Sequence, residues 1–185
     1  MPQMQDPNFS QTVSILSEFN EKGAVALILN RPLQITLHDV LSPDFRKQFD
    51  LEPDVSKTVK KCPVYWGGPV DVQQGLILHN CEEFADESVL IQPGLFITGS
   101  IRILTELLKR QAANEDSDTF FRFLLGYAGW GAKQLEQEMS DSGWMTCAIE
   151  KFVFETKPDL LWAKAVQHLG VDISQLTSIS QQNFH

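Results

Sequence analysis

The chain has 185 residues, 43% apolar and 21% charged, with a net charge of −9. That length suits one domain with a true core, or two small ones. An acidic balance repels a phosphate backbone, so nucleic-acid binding would need a local basic patch, and Lys57, Lys60 and Lys61 make only a thin one. No apolar run approaches the ~18 residues that cross a bilayer. Residues 1–11 lack the charged-then-apolar pattern of a leader. The cysteines, Cys62, Cys81 and Cys147, are odd in number and widely spaced, which fits neither a disulfide framework nor a metal knuckle. The expectation is a cytoplasmic protein with free, mostly buried thiols.

Asp6-Pro7-Asn8-Phe9 opens with turn residues, and Phe9 is expected to pin the N-terminus to the core. Val13 and Ile15 alternate with Thr12 and Ser14, with Leu16 and Phe19 beyond, the pattern of a half-buried strand. Asn20-Glu21-Lys22-Gly23 then reads as a hairpin connection. Residues 24–29 are continuously apolar and short, as in a central strand covered on both faces. Asn30-Arg31-Pro32 stops it. Residues 36–41 form a short helix capped by Thr36, with Leu37, Val40 and Leu41 inward. Residues 42–61 are charged and carry Pro43 and Pro53, a surface excursion with a helical turn at 45–49.

Val64-Tyr65-Trp66 resumes strand character, and Gly67-Gly68-Pro69 breaks it. Residues 75–79 and 88–91 are further strands, Pro93-Gly94 is a turn, and residues 95–97 are a short apolar piece. Ser100 caps a helix to about Gln111 with Ile101, Leu104, Leu107 and Leu108 as its buried stripe. After a polar loop at 113–118, residues 119–125 read as a buried strand. Gly126-Tyr127-Ala128-Gly129-Trp130 reads as a strand-to-helix junction, because Ala132, Leu135 and Met139 share a helical face. Asp141-Ser142-Gly143 ends that helix, residues 144–149 are a strand, and Phe152 to Phe154 another apolar piece. Thr156-Lys157-Pro158-Asp159 starts the last helix, with Leu161, Trp162, Ala165, Val166 and Leu169 inward and Gly170 at its end. Trp162 is expected in the core, where its truncation to Ala would cost about 3–5 kcal/mol. The order gives an α+β fold, a mixed sheet with helices packed on it, as one domain over 1–185 whose tail beyond about residue 172 is frayed.

Taken together, Asp6-Pro7-Asn8-Phe9, Gly23-Ala24 leading to Asn30-Arg31-Pro32, Gly67-Gly68-Pro69-Val70, Gly75-Leu76-Ile77-Leu78-His79 and Gly126-Tyr127-Ala128-Gly129-Trp130 with Gln134-Leu135-Glu136 resemble the YqgE/AlgH family over residues 6–172. The resemblance implies a bacterial, cytoplasmic protein whose mostly antiparallel sheet curls toward a pseudo-barrel. It implies no established activity; some members carry the label of transcriptional regulator, yet nothing here looks like a DNA-reading helix-turn-helix with basic flanks. Two departures stand out. The family often has His where this chain has Phe19, which excludes a role for that histidine. It often has Gly where this chain has Lys133, which puts a glycine-dependent backbone site at the helix start in doubt.

The chemistry-bearing residues are dispersed. His79 and Cys81 could share one strand face, but no third ligand accompanies them and structural zinc wants four. No serine sits in a nucleophile elbow. Gly67-Gly68 could cradle a phosphate only if a helix began there. Arg31 could meet an anion or an acceptor within the fold. The acid pairs at 82–83, 86–87 and 115–116 lack calcium-loop spacing. The reading is therefore a non-catalytic binding or regulatory module with no cofactor and no metal, recognising a protein or small-molecule partner through a crevice. Asn30, Arg31, Gly67, Gly68, His79, Tyr127, Trp130, Gln134 and Glu136 are its candidate lining. Helix-start N–H groups walled by Tyr127 and Trp130 would favour an anion, against the plainer reading that Gly126 and Gly129 allow close packing and the aromatics fill core. The alternative is a hydrolase-like enzyme whose site assembles from Arg31, His79, Tyr127 and Glu136.

Overall fold

The structure, a computed structural model, describes residues 6–42, 53–113, 118–141 and 143–171. Strands β1 (Ser14–Asn20) and β2 (Gly23–Ile28) form the expected hairpin, closed by Glu21-Lys22, with Asn20 opposite Gly23. Strand β3 (Pro32–Thr36) leads into helix α1 (Leu37–Val40), where the Asp39 carboxylate accepts the Thr36 amide at 2.7 Å and its hydroxyl at 2.8 Å. Helix α2 (Pro53–Lys61) replaces the surface excursion expected there. Its Val55 and Val59, one turn apart, are buried, a stripe that the surrounding prolines and lysines mask in the sequence. The turn expected at 45–49 lies outside the described residues.

Strands β4 (Pro63–Trp66), β5 (Val70–His79), β6 (Val89–Gln92) and β7 (Leu95–Thr98) follow, with a 3-10 turn at Glu82–Glu87. Helix α3 (Ile101–Ala113) buries Ile103, Leu104, Leu107 and Leu108, whereas Ile101, expected inward, is 37% exposed at the first turn. Strand β8 (Phe121–Gly131) is the longest and runs through the whole Gly-Tyr-Ala-Gly-Trp motif. The motif is thus strand interior and not a strand-to-helix junction. Helix α4 (Gln134–Ser140) starts only after it, and α5 (Phe152–Glu155) and α6 (Pro158–His168) follow. Residues 144–149 form no strand, and none of the described strands pairs with them.

The sheet order is β1-β2-β8-β5-β7-β6, with β3 and β4 branching from β8. β5 lies antiparallel along one flank of β8, with His79 opposite Phe121 and Val70 opposite Tyr127. The other flank is shared. Parallel β4 takes the first half, with Val64 opposite Phe123, and antiparallel β2 the second, with Ala26 opposite Ala128. The outer strands β1 and β6 come close to each other, so the sheet rolls into a nearly closed barrel.

Alternate residues of the strands serve different cores. Val64, Ile77 and Phe123 face an outer layer under α1, α2 and α3. Tyr65, Leu78 and Leu124 face the barrel interior with Ile15, Leu27 and Leu95, capped by Val153 and Leu161. A third cluster gathers Ala24, Ala128, Trp130 and Leu135 with Phe9 and Trp144, so Phe9 does tie down the N-terminal segment. On α6 the inward stripe is Leu161, Ala165 and Val166. Trp162 lies at its margin, only half-buried, which corrects its expected place in the core.

Candidate functional site

Most of the residues singled out in the sequence are engaged by the fold itself. Asn30 accepts the Val13 amide at 2.8 Å and donates to the Gln11 carbonyl at 2.9 Å, while the Arg31 guanidinium donates to the Ser10 carbonyl. The pair clamps the N-terminal segment onto the end of β2. Gly67 is the splice between β4 and β2: its amide donates to the Leu125 carbonyl at 2.8 Å and its carbonyl accepts from Ile28 at 2.9 Å. A Cβ on Gly67 would stand 2.2 Å from the Gly126 carbonyl oxygen, and one on Gly68 2.1 Å from the Tyr127 carbonyl carbon. Backbone lies directly on backbone there, and Gly126 at φ +71 lets β8 turn beneath the crossing.

Trp130 is 8% exposed. Its indole donates to Glu138 Oε2 at 3.0 Å, and Trp144 donates to the same oxygen at 2.8 Å. Gln134 donates to Glu138 Oε1 at 3.1 Å and accepts the Gly131 amide at 3.0 Å. Phe9, Trp130 and Trp144 have mutual centroid separations of 5.5–5.9 Å. Rings that close pack against one another, so Trp130 fills core here instead of walling an open anion site. Tyr127 stays half-buried and Glu136 is exposed. Lys133, where the family tends to carry glycine, takes the left-handed conformation at φ +62 just before α4.

His79 is fully buried, stacked on Phe96 at 5.5 Å. Its Nδ1 accepts the Cys81 amide at 3.3 Å, which places the ring proton on Nε2, 3.0 Å from the Ser88 hydroxyl. Burial holds its pKa below the ordinary histidine value. It pairs with Phe121, six residues before Tyr127, or about 20 Å along the strand. The structure therefore does not bring Arg31, His79, Tyr127 and Glu136 into one site. Burial also pushes the Cys62 thiol up to about 12. Among the described residues, no group of three or more His, Cys, Asp or Glu side chains is placed to hold a metal ion.

The concavity lies at the opposite end of β8. A cleft of about 970 Å³ is bounded by Asn80, the β6–β7 turn at 92–95, residues 118–120 and the segment 149–155. Phe120 and Phe154 pack against each other in its lining, 4.6 Å between centroids, and Phe152 lines it too. Asn80 holds its base, donating to the Asp118 carbonyl at 2.7 Å and accepting the Phe120 amide at 2.7 Å. Behind Phe120 lies Arg122, 6% exposed. Its guanidinium donates to the Leu29 carbonyl at 2.8 Å and sits 4.5 Å from the Tyr65 ring centre and 5.5 Å from that of Phe120. Desolvation lowers its pKa, and the two aromatic faces and the carbonyl stand in for a counter-charge. None of the nine sequence candidates lines this cleft. The signal available for it was the apolar Phe152-Val153-Phe154 set between Glu150-Lys151 and Glu155, too short for a strand and too aromatic for an ordinary loop.

The AlgH-like family model matches residues 1–174. "UPF0301 protein PSHAa2600" of Pseudoalteromonas translucida is 36% identical over 178 residues, covering 96% of this chain and 91% of the relative. A UPF0301 protein of Pseudomonas putida is 37% identical over 181 residues, covering 96% and 89%. The solution structure of the AlgH protein from Pseudomonas aeruginosa superposes with a TM-score of 0.68 at 35% identity, over 96% of this chain and 88% of that one. Protein DIP2367 from Corynebacterium diphtheriae shares the fold, with a TM-score of 0.63 at 17% identity over 90% and 82% of the two chains. No helix among the described residues is long and apolar enough to cross a membrane. With a family model along almost the whole chain and relatives of this similarity along 96% of it, the protein belongs to the AlgH-like family.

Proposed function

We propose that this protein is a non-catalytic binding module, acting in the cytoplasm in a regulatory role, and that its ligand or partner enters the cleft at the N-terminal end of β8. The observation that carries this reading is the cleft itself. It is a half-open concavity of about 970 Å³ with an aromatic wall and a polar rim, the usual composition of a recognition site. The acid-base candidates support the same conclusion from the other side. His79 has both ring nitrogens engaged and Arg31 is spent on a backbone carbonyl. General catalysis needs groups free to move protons within hydrogen-bond reach of one another. Free thiols at Cys62, Cys81 and Cys147 agree with a reducing compartment.

Screening a few hundred fragments by amide chemical shift tests the reading. Shifts clustering on residues 92–95, 118–120 and 149–155 support it, and shifts clustering around Gly68 and Tyr127 overturn it. Turnover in a hydrolase and transferase panel, abolished by a change at one polar residue, would replace the module with an enzyme.

A further inference from the structure

The geometry points to a ligand class for this cleft: a cationic, aromatic-bearing peptide segment, its rings against Phe120, Phe152 and Phe154 and its lysine or arginine groups against Asp118, Glu150 and Glu155. The inference rests on the cleft being the binding site and adds the identity of what fills it.

The wall supplies the first argument. Three phenylalanines line one concavity, and offset or edge-on aromatic packing rewards rings over aliphatic chains. Charge supplies the second. The lining carries three carboxylates, Asp118, Glu150 and Glu155, and one ammonium, Lys151. Glu150 also pairs with His168 Nε2 at 3.1 Å and Asp118 has a partner of its own, so Glu155 is the most accessible of the three. A fourth carboxylate is close by, with Glu82 Oε1 3.9 Å from where a Cβ on Gly94 would stand. Burial, and after it the nearby Glu150 carboxylate, raise the pKa of the Cys147 thiol. The chain as a whole carries −9, so its field adds to the rim in favouring cations. Size and openness supply the third. The cleft matches the upper end of small-ligand pockets, roughly 300–1,000 Å³, and is half-open to solvent. Ile149, which belongs to no helix or strand, lines one side of it.

Three blocked pentapeptides separate the terms: Lys-Phe-Lys-Phe-Lys, Glu-Phe-Glu-Phe-Glu and Lys-Ala-Lys-Ala-Lys, titrated by calorimetry and amide chemical shift. The first is expected to shift amides at 92–95 and 149–155, and the other two to bind at least about tenfold more weakly. Glu155→Lys should weaken the first peptide by roughly threefold and Lys151→Glu should tighten it by a similar factor, as for exposed ion pairs. Both side chains are exposed, so both variants fold, and both effects should shrink in added salt. Equal binding of the lysine and glutamate peptides at those amides overturns the cationic class while leaving the cleft as the site. Shifts at those amides with neither peptide, or shifts confined elsewhere, overturn both.

Discussion

The two halves of β8 do opposite things with the same strand. In its second half, residues 126–131, backbone packs on backbone. Gly67 and Gly68 cross at Gly126 and Tyr127, β2 takes over from β4, and Trp130 is fixed to Glu138. Gly126 carries no side chain because a Cβ there would stand 2.6 Å from the Gly68 carbonyl oxygen, and the Trp130 indole is paired with Glu138. In its first half, side chains do the work. Arg122 reaches across to the Leu29 carbonyl between two aromatic rings, and Phe120, just ahead of the strand, lines an open cleft. The lesson is that the half with the most conspicuous sequence is the half most consumed by the fold, and concavity is left where the sequence is plain.

The sharpest way to break this comparison is to put a methyl group into the crossing. Gly68→Ala forces a Cβ to 2.1 Å from the Tyr127 carbonyl carbon at φ +153, and Gly126→Ala forces one to 2.6 Å from the Gly68 carbonyl oxygen at φ +71. Each should cost about 4 kcal/mol or more, enough to leave little folded protein in a urea titration. Gly94→Ala, at the cleft, has positive φ too, but meets only the flexible Glu82 side chain at 3.9 Å. It should cost about 1–2 kcal/mol. Equal losses at both places would show that strain and not close packing governs the crossing.

The next effect tests whether the Trp130 cluster is architecture. Glu138→Ala removes the acceptor of two indole N–H groups and of Gln134. The expected loss is about 2 kcal/mol, with a red-shifted tryptophan emission and no change in binding at the cleft. Glu138→Gln keeps one oxygen and should recover part of it. On α6, Trp162→Ala should cost about 1–2 kcal/mol, below the range for a fully buried tryptophan, because this side chain is half-buried beside the Leu161 stripe. A melting curve displaced by far more would place Trp162 in the core after all.

Lys133 offers a smaller change of opposite sign. Its left-handed φ of +62 is where a β-carbon costs most and glycine least. Lys133→Gly should stabilise the protein by up to about 1 kcal/mol, read as a higher urea midpoint, since relief of strain outweighs the extra freedom of the unfolded chain.

How much of this was legible beforehand follows from what sequence patterns encode. The hairpin of β1 and β2 was visible through its alternation and Gly23, and α6 through Pro158, Asp159 and Gly170. Family motifs implied the rolled sheet. The course of β8 was misread because glycines signal a break when judged locally. Here Gly126 is required by Gly68 and Val70, contacts some sixty residues away in the chain. Helix α2 was missed because two valines among prolines and lysines carry little signal until α3 packs on them. The cleft was invisible because no local pattern brings Phe120 to Phe154. Charged and polar candidates such as Asn30 and Arg31 looked free only because their partners, the carbonyls of Gln11 and Ser10, belong to a backbone that sequence does not place.

The smallest effect is absent at neutral pH and appears only on acidification. His79 anchors the outer end of β5 as a neutral ring, with Nδ1 accepting from Cys81 and Nε2 directed at Ser88. Adding a proton to Nδ1 would remove that acceptor inside an enclosure of Phe84 and Phe96, so desolvation lowers the folded-state pKa. The unfolded chain keeps the ordinary value near ~6.5. Above that pH both states are neutral and the group contributes no pH dependence. As pH falls below it, the unfolded chain takes up a proton that the folded chain refuses, and stability drops until the depressed folded pKa is passed. Carboxylates add their own slope at lower pH, so the measurement is a difference: urea midpoints at pH 8 and pH 5.5 for the wild type and for His79→Gln, which keeps hydrogen-bonding capacity but does not titrate. The wild type should lose more stability than the variant over that interval. Equal losses would mean that the folded protein accepts the proton, and that this end of the strand is open to water in a way the cleft beside it is meant to be and His79 is not.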